Sequence, residues 1–222
     1  MIELDKIYNE DCLVGMQRIP DGSVDLVCTD IPYNEVNRDD NGLRKLDKEL
    51  ADVGLFDVSE LTRTLCAKTK GSVYMFCGIN QVSNIRRAMS ECNLSTRLII
   101  WEKTNPSPMN GDKIWLSGIE CCVFGKKSGA VFNEFCKNTV FRYPCGDSNV
   151  HPTQKPLTLI RRLVLASSPL GGVVLDPFMG SGTTAVACIK EKRHFIGFEL
   201  NKDYFDIAEK RIRQEQAQPS LF

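Results

Sequence analysis

Asp176-Pro177-Phe178-Met179-Gly180-Ser181-Gly182-Thr183-Thr184 is the stretch whose reading decides the fold. A short apolar run, Val173-Val174-Leu175, precedes it behind Gly171-Gly172. The residues that follow, Ala185-Val186-Ala187-Cys188-Ile189-Lys190, suit a helix. The pattern is strand, glycine turn, helix, a geometry in which a backbone approaches a nucleotide-like ligand closely. Glycine serves there because a side chain would hold the ligand off the main chain. The spacing is not G-x-G-x-x-G, and no phosphate-binding lysine follows as in a P-loop. The next strand, His194-Phe195-Ile196-Gly197-Phe198, ends in Glu199. That acid stands about twenty residues beyond the turn, where a carboxylate can accept hydrogen bonds from ribose hydroxyls.

Outward from this unit, strands and helices alternate. Val24 to Thr29 reads as a buried strand ending at Asp30-Ile31-Pro32-Tyr33. Leu61, Leu65 and Cys66 mark a helix face that ends near Gly71, and Ser72 to Cys77 forms the next strand. Val82, Ile85, Arg86 and Met89 suit a helix, and Leu98 to Trp101 a strand. Residues 34–56 are polar, without strand periodicity, and read as an excursion above the sheet. From Ser107 to Val150 the alternation lapses, and the runs at 120–124 and 138–141 suggest a hairpin with irregular structure. It resumes at Pro156, placed for the first turn of a helix marked by Leu157, Ile160, Leu163 and Val164. A final helix runs from about Lys202 to Ile212, and residues 214–222 form a polar tail. This alternation implies an α/β, doubly wound, mainly parallel sheet with ligands at the strand carboxyl ends.

The 222 residues suit one domain with a small insertion, and formal charge balances at +0. A neutral total neither requires nor excludes nucleic acid, because a single face can still be basic. The first residues do not read as a signal peptide, and no apolar run is long enough to span a membrane. The ten cysteines are scattered without a C-x-x-C pair. That spacing speaks against disulfides or zinc and fits a reducing cytoplasm. His151 and His194 do not suggest a metal pair, so no metal is expected.

Three further segments join the glycine turn in one resemblance. Asp30-Ile31-Pro32-Tyr33 is similar to the D-P-P-Y loop of DNA amino-methyltransferases, with Ile31 replacing the first proline. Asp176 to Thr184 resembles the D-P-F-x-G-x-G-T-T segment of the same family, and His151-Pro152-Thr153-Gln154-Lys155-Pro156 its H-P-T-x-K-P segment. Asn9-Glu10-Asp11-Cys12 resembles its N-D-C segment. With the catalytic loop first, a variable region next and the cofactor loop last, the order is that of the β group of this family.

The resemblance implies a seven-stranded sheet of the class I S-adenosylmethionine-dependent type and methyl transfer to the N6 amine of a flipped adenine. The implied catalytic residues are Asp30, Ile31, Pro32 and Tyr33. Asp30 and the carbonyl of residue 31 would accept the amine N–H bonds and stabilise the charge that builds on nitrogen. Tyr33 would stack on the base. The implied cofactor set is Asp11, Asp30, Thr153, Lys155, Asp176, Pro177, Phe178, Gly180, Ser181, Gly182, Thr183, Glu199 and Leu200. The halves would be residues 1–104 and 151–213, with target recognition at 105–150. In this region and just before it, Lys103, Lys113, Lys126, Lys127, Lys137 and Arg142 are candidates for DNA contacts. Double-stranded DNA is the implied partner, and the resemblance allows a homodimer and a companion restriction endonuclease. Relatives acting on cytosine N4 more often begin the loop with Ser, so Asp30 favours adenine. A non-catalytic module holding cofactor or DNA is the reading from another class.

Overall fold

The computed structural model describes residues 2–33, 56–108, 111–145 and 154–217. The excursion expected over 34–56 therefore lies, except for Phe56, outside the described residues. Eight strands form one sheet: β1 (Lys6–Tyr8), β2 (Val24–Asp30), β3 (Thr69–Cys77), β4 (Ser95–Lys103), β5 (Ile119–Lys126), β6 (Val140–Tyr143), β7 (Val173–Asp176) and β8 (His194–Phe198). Their order is β1-β8-β7-β2-β3-β5-β4-β6. β5 runs antiparallel to both neighbours, and every other pairing is parallel.

Two expectations change here. The sheet has eight strands, not seven, because three-residue β1 and four-residue β6 are too short to display a period yet pair along the edges of β8 and β4. And β5 and β6 do not form a hairpin: β4 lies between them, so β5 is an interior strand of the sheet. Its run of buried residues from Cys121 to Gly125 is what such a position demands.

The helices cover both faces. On one side α1 (Cys12–Gly15), α2 (Val58–Lys68) and α3 (Val82–Glu91) pack over a core containing Leu61, Leu65, Ile85 and Met89 with Val27, Val73, Met75 and Val123. On the other α4 (Leu157–Ser167), α5 (Thr183–Lys190) and α6 (Lys202–Gln216) pack over Leu26, Cys28, Phe76, Ile99, Cys122 and Phe195. Alternate residues of one strand thus enter opposite cores, as the period of two requires. α6 continues past Ile212 to Gln216, with the Lys190 Nζ to Glu215 Oε1 pair at 2.6 Å tying its last turn to α5. Glu, Gln and Arg are good helix formers, so a polar composition alone did not mark the end. Among the described residues no helix is long and apolar enough to cross a membrane.

The join between β2 and β3 contains a register shift between Val24 and Leu26, where Asp25 faces both Lys70 and Gly71. The Thr69 hydroxyl bridges it, donating to the Val24 carbonyl at 3.0 Å and accepting from the Gly71 N–H at 3.0 Å. A Cβ on residue 71 would stand 1.8 Å from the Asp25 carbonyl oxygen. That clash is with main chain and cannot be relieved by a rotamer. Gly71→Ala is expected to destabilise the fold by about 2–4 kcal/mol. Urea denaturation against wild type checks this, and an unchanged midpoint would refute the packing account.

Candidate active site

β2 and β7 are neighbours, with Leu26 opposite Val174 and Val27 opposite Leu175. The chain leaves β2 toward β3 on one side and β7 toward β8 on the other, so the junction is a topological switch point. Open parallel sheets present a crevice at the carboxyl ends of such strands. Asp30 ends β2 and Asp176 ends β7, which brings the two loops singled out in the sequence to one place.

Asp30 is partly buried and both its oxygens are engaged. Oδ1 accepts the Tyr33 hydroxyl at 2.9 Å, and Oδ2 forms an ion pair with Lys155. The Lys155 ammonium, only 7% exposed, also meets Glu120 Oε2 at 3.0 Å. Lys103 pairs with the other oxygen of Glu120 at 2.9 Å, and the Tyr33 hydroxyl lies 3.3 Å from Glu120 Oε2. Two carboxylates and two ammonium groups thus form one balanced, largely buried cluster. Burial pushes the Asp30 carboxyl up; Lys155 opposes this, and Glu120 adds to it. For Lys155, burial works against the charge, yet Asp30 and Glu120 together hold its pKa above the ordinary lysine value. Burial also works against the charge on Glu120, but Lys155 and Lys103 hold its pKa below the ordinary carboxylate value. Burial, with Asp30 and Glu120 nearby, drives the Tyr33 phenol well above its usual value, so it remains a neutral donor.

The loop carrying Asp30 is fixed although Ile31 stands where the family pattern has proline. Ile31 is 2% exposed and its N–H donates to the Phe76 carbonyl at 3.2 Å. The carbonyl of Pro32 accepts from Gln81 Nε2 at 3.0 Å, and Gln81 Oε1 in turn accepts the Gly78 N–H at 2.9 Å. Burial and a side-chain clamp supply the rigidity that a second ring would give. Lys155, expected beside the cofactor, has its ammonium on Asp30 and Glu120. Thr153 lies outside the described residues.

Around the glycine turn, Asp176 is buried and its Oδ1 accepts the Phe178 N–H at 3.1 Å. Pro177 is buried behind it, and Phe178 meets the Phe56 ring at 5.7 Å between centroids. Gly180 and Gly182 have φ of 54° and 85°, the left-handed region that glycine enters without strain. A Cβ on Gly180 would meet no atom within 4 Å, so this part of the turn opens on free space. Glu199 Oε2 accepts the Gly180 N–H at 2.7 Å and Oε1 the Asn201 N–H at 2.8 Å. Asp11, an exposed residue, caps α1 through a 2.7 Å bond from the Leu13 N–H, and Leu200 is exposed on the rim. Ser181 and Thr183 turn their hydroxyls to Arg211 Nη1, at 2.9 and 3.5 Å. Their part in any ligand contact would therefore fall to the main chain, at the N–H-rich first turn of α5.

Some residues here were not legible in advance. Glu120, Gln81 and Arg211 gave no signal, because each acts through a partner distant in sequence. Asn9, which donates to the carbonyls of Glu199 and Leu200 at 2.9 and 3.1 Å, sat inside a segment valued for Asp11. The basic candidates divide. Lys103 is committed to Glu120, and Arg142 to Glu102 at 3.0 Å. The registers Ser72 to Lys126 and Ser95 to Lys126 place Lys126, and with it Lys127, at the end of the sheet opposite Asp30. Lys137 lines a cavity with Ser95 and Lys126 on that side. Reversal of β5 carries Lys126 and Lys127 away from the crevice. Among the described residues no cluster of His, Cys, Asp or Glu could hold a metal ion.

The fold and the crevice together define an α/β methyltransferase of the class I type. The N6/N4 methyltransferase family, described as DNA methylase, matches residues 112–210. The chain is 28% identical to the Type II methyltransferase M.HinfI of Haemophilus influenzae, over 98% of its own length and 70% of that protein's. It is 24% identical to the Type II methyltransferase M2.MboI of Moraxella bovis, covering 94% and 87%. The crystal structure of M1.HpyAVI in complex with SAM superposes with a TM-score of 0.72 at 28% identity, over 93% of this chain and 98% of the other. The cytosine-N4-specific PvuII DNA methyltransferase superposes at 0.70 with 17% identity, covering 95% and 90%, a likeness of fold alone. The chain is thus similar over most of its length to DNA methyltransferases of the N6-adenine/N4-cytosine type.

Asp176 titrates far from an exposed aspartate. Burial pushes it up to about 6, against hydrogen bonds from neighbours including the Phe178 N–H. In the unfolded chain it titrates near 3.9. Its folded pKa is raised, so its contribution to stability is full below about pH 4 and is lost as pH rises through about 6. Asp176→Asn removes that loss. Its stability relative to wild type should rise by about 2 kcal/mol between pH 4 and pH 7 in the ligand-free protein. Urea denaturation across that range tests it, and a pH-independent difference would show that Asp176 is not held protonated.

Proposed function

We propose that this chain transfers a methyl group from S-adenosylmethionine to the N6 amine of adenine in double-stranded DNA. The observation that carries this reading is a hydrogen-bonded Asp30 at the carboxyl end of β2, beside an open glycine turn on β7. The crevice suits the cofactor: Gly180 leaves room for close approach, and Glu199 and Asp11 bring carboxylates to its wall, the chemistry that ribose and adenine donors call for. Asp176, Pro177, Phe178, Gly182, Leu200 and the main chain at Ser181 and Thr183 complete that wall. When bound, S-adenosylmethionine supplies an electrophilic methyl group on a cationic sulfur.

The protein must make a poor nucleophile attack. The lone pair of the exocyclic amine is delocalised into the ring, and Asp30 with the Ile31 carbonyl accepts its two N–H bonds and draws the nitrogen toward tetrahedral geometry. The same acceptors stabilise the positive charge that builds on it. Tyr33 presents its ring to a base flipped from the duplex, which is the only way the amine reaches this depth. Asp at the head of the loop favours adenine over cytosine.

Because β5 and β6 belong to the sheet, recognition within 105–150 falls to the loops on either side of them. Lys113 stands in the loop nearest the crevice and Arg142 at the same end of the sheet. The Type II names of the relatives support a companion restriction endonuclease.

The test is methyl transfer from labelled S-adenosylmethionine to unmethylated DNA, followed by digestion to nucleosides and mass analysis. N6-methyladenine is the expected product, and Asp30→Ala should lower its formation on the order of a thousandfold while sparing cofactor binding. N4-methylcytosine would replace the target and keep the mechanism. Bound cofactor with no modified base would overturn the enzymatic reading.

A further inference from the structure

We infer that Glu120 is a positioning residue for this transfer: by holding the far side of the Lys155 ammonium, it prevents that cation from monopolising the carboxylate of Asp30. The inference rests on the proposed reaction and concerns how its acceptor is kept competent.

Lys155 has three N–H donors and no acceptor. It lies against Asp30 Oδ2 and, at 3.0 Å, against Glu120 Oε2, and its side chain is almost fully buried. In a space with little water, an ammonium facing one carboxylate would bind it as a tight pair and drain its capacity to accept an amine N–H. A second carboxylate divides that attraction. Glu120 can stay ionised in this role because Lys103 neutralises its outer oxygen at 2.9 Å. The Tyr33 hydroxyl, 2.9 Å from Asp30 and 3.3 Å from Glu120, touches both acids and registers their spacing. The arrangement draws on the end of β2, the start of β5, the end of β4 and the segment before α4.

The charge argument has a consequence in pH. The groups that face Asp30 are Tyr33 and Cys28 on its own segment, Cys77 of β3, Glu120 and Cys122 of β5, Asp176 of β7 and Lys155 before α4, with Lys103 of β4 behind Glu120. Burial raises the thiol pKa values, to about 12 in Cys77, so the cysteines stay neutral through any assay range. Glu120 is the like charge that raises Asp30.

The experiment measures kcat/KM for duplex DNA against pH in wild type, Glu120→Gln and Lys103→Met. Glu120→Gln keeps the shape of the residue and removes its charge. Its acid limb should move to lower pH while kcat on the plateau falls by about tenfold, the scale on which outer partners of a reacting group act. Cofactor affinity should not change. Lys103→Met leaves the Glu120 charge unshielded, and its acid limb should move the other way. A purely structural Glu120 would lower the melting temperature and the rate at every pH with the limb in place, and that outcome overturns the inference. If Glu120→Gln does not fold, Lys103→Met decides alone: a limb that stays or moves down is equally fatal. Absence of methyl transfer by the wild-type protein would instead remove the reaction itself, a failure visible before any variant is compared.

Discussion

An ammonium removed from water needs counter-charge, and much of this structure's catalytic end is arranged around that need at Lys155. Desolvating such a group costs several kcal/mol, which is recovered only with well-placed opposite charge. Two carboxylates meet it, one from the end of β2 and one from the start of β5, and a second lysine from the end of β4 balances the account. Three stretches far apart in sequence are thereby pinned to one another. An apolar cluster of the same volume would hold the sheet at least as well, so the cluster is better explained by the acceptor role proposed for Asp30 than by stability.

That pinning has effect because of where the strands lie. Adjacent β2 and β7 send their chains in opposite directions, which leaves a cleft between the loops that leave them. Reversing β5 brings its first residues, not its last, to the same end as Asp30, and so Glu120 reaches the cleft. The same reversal moves Lys126 and Lys127 to the far end. One topological choice therefore adds an acid to the site and subtracts two cations from the face that would meet DNA.

How much of this the sequence disclosed follows from the range of the interactions. The glycine turn and the Asp30 loop were legible because their chemistry is local: left-handed φ at Gly180 and Gly182, a proline after a strand, an acid at a strand end. The doubly wound class was legible because the alternation is regular over most of the chain. β1 and β6 were not, being too short for a period, and the run at 120–124 suggested a hairpin because nothing local says that β4 will lie between it and β6. Glu120 was hidden for the same reason. An acid opening an apolar strand reads as a surface residue until Lys155 and Lys103 are brought against it, and those contacts span 35 and 17 positions, counted from 155 − 120 and 120 − 103. The pairing of Lys103 with Glu120 was hidden by the mirror of that argument.

In the proposed reaction the cluster also resolves a conflict built into the chemistry of a weak amine nucleophile. Asp30 must be ionised to accept N–H bonds, which favours a cation nearby; it must remain a good acceptor, which disfavours a cation bound to it alone. Burial by itself would protonate the carboxyl, and a single lysine would pair it off. Sharing the lysine between two acids meets both requirements, since the cation keeps Asp30 charged while Glu120 limits its grip. The neutral Tyr33 hydroxyl on the other oxygen adds a donor without adding charge, and an incoming amine can displace it at the loss of one hydrogen bond and the gain of another. The clamp from Gln81 to the Pro32 carbonyl then has a clear purpose: it holds still the loop on which that exchange takes place.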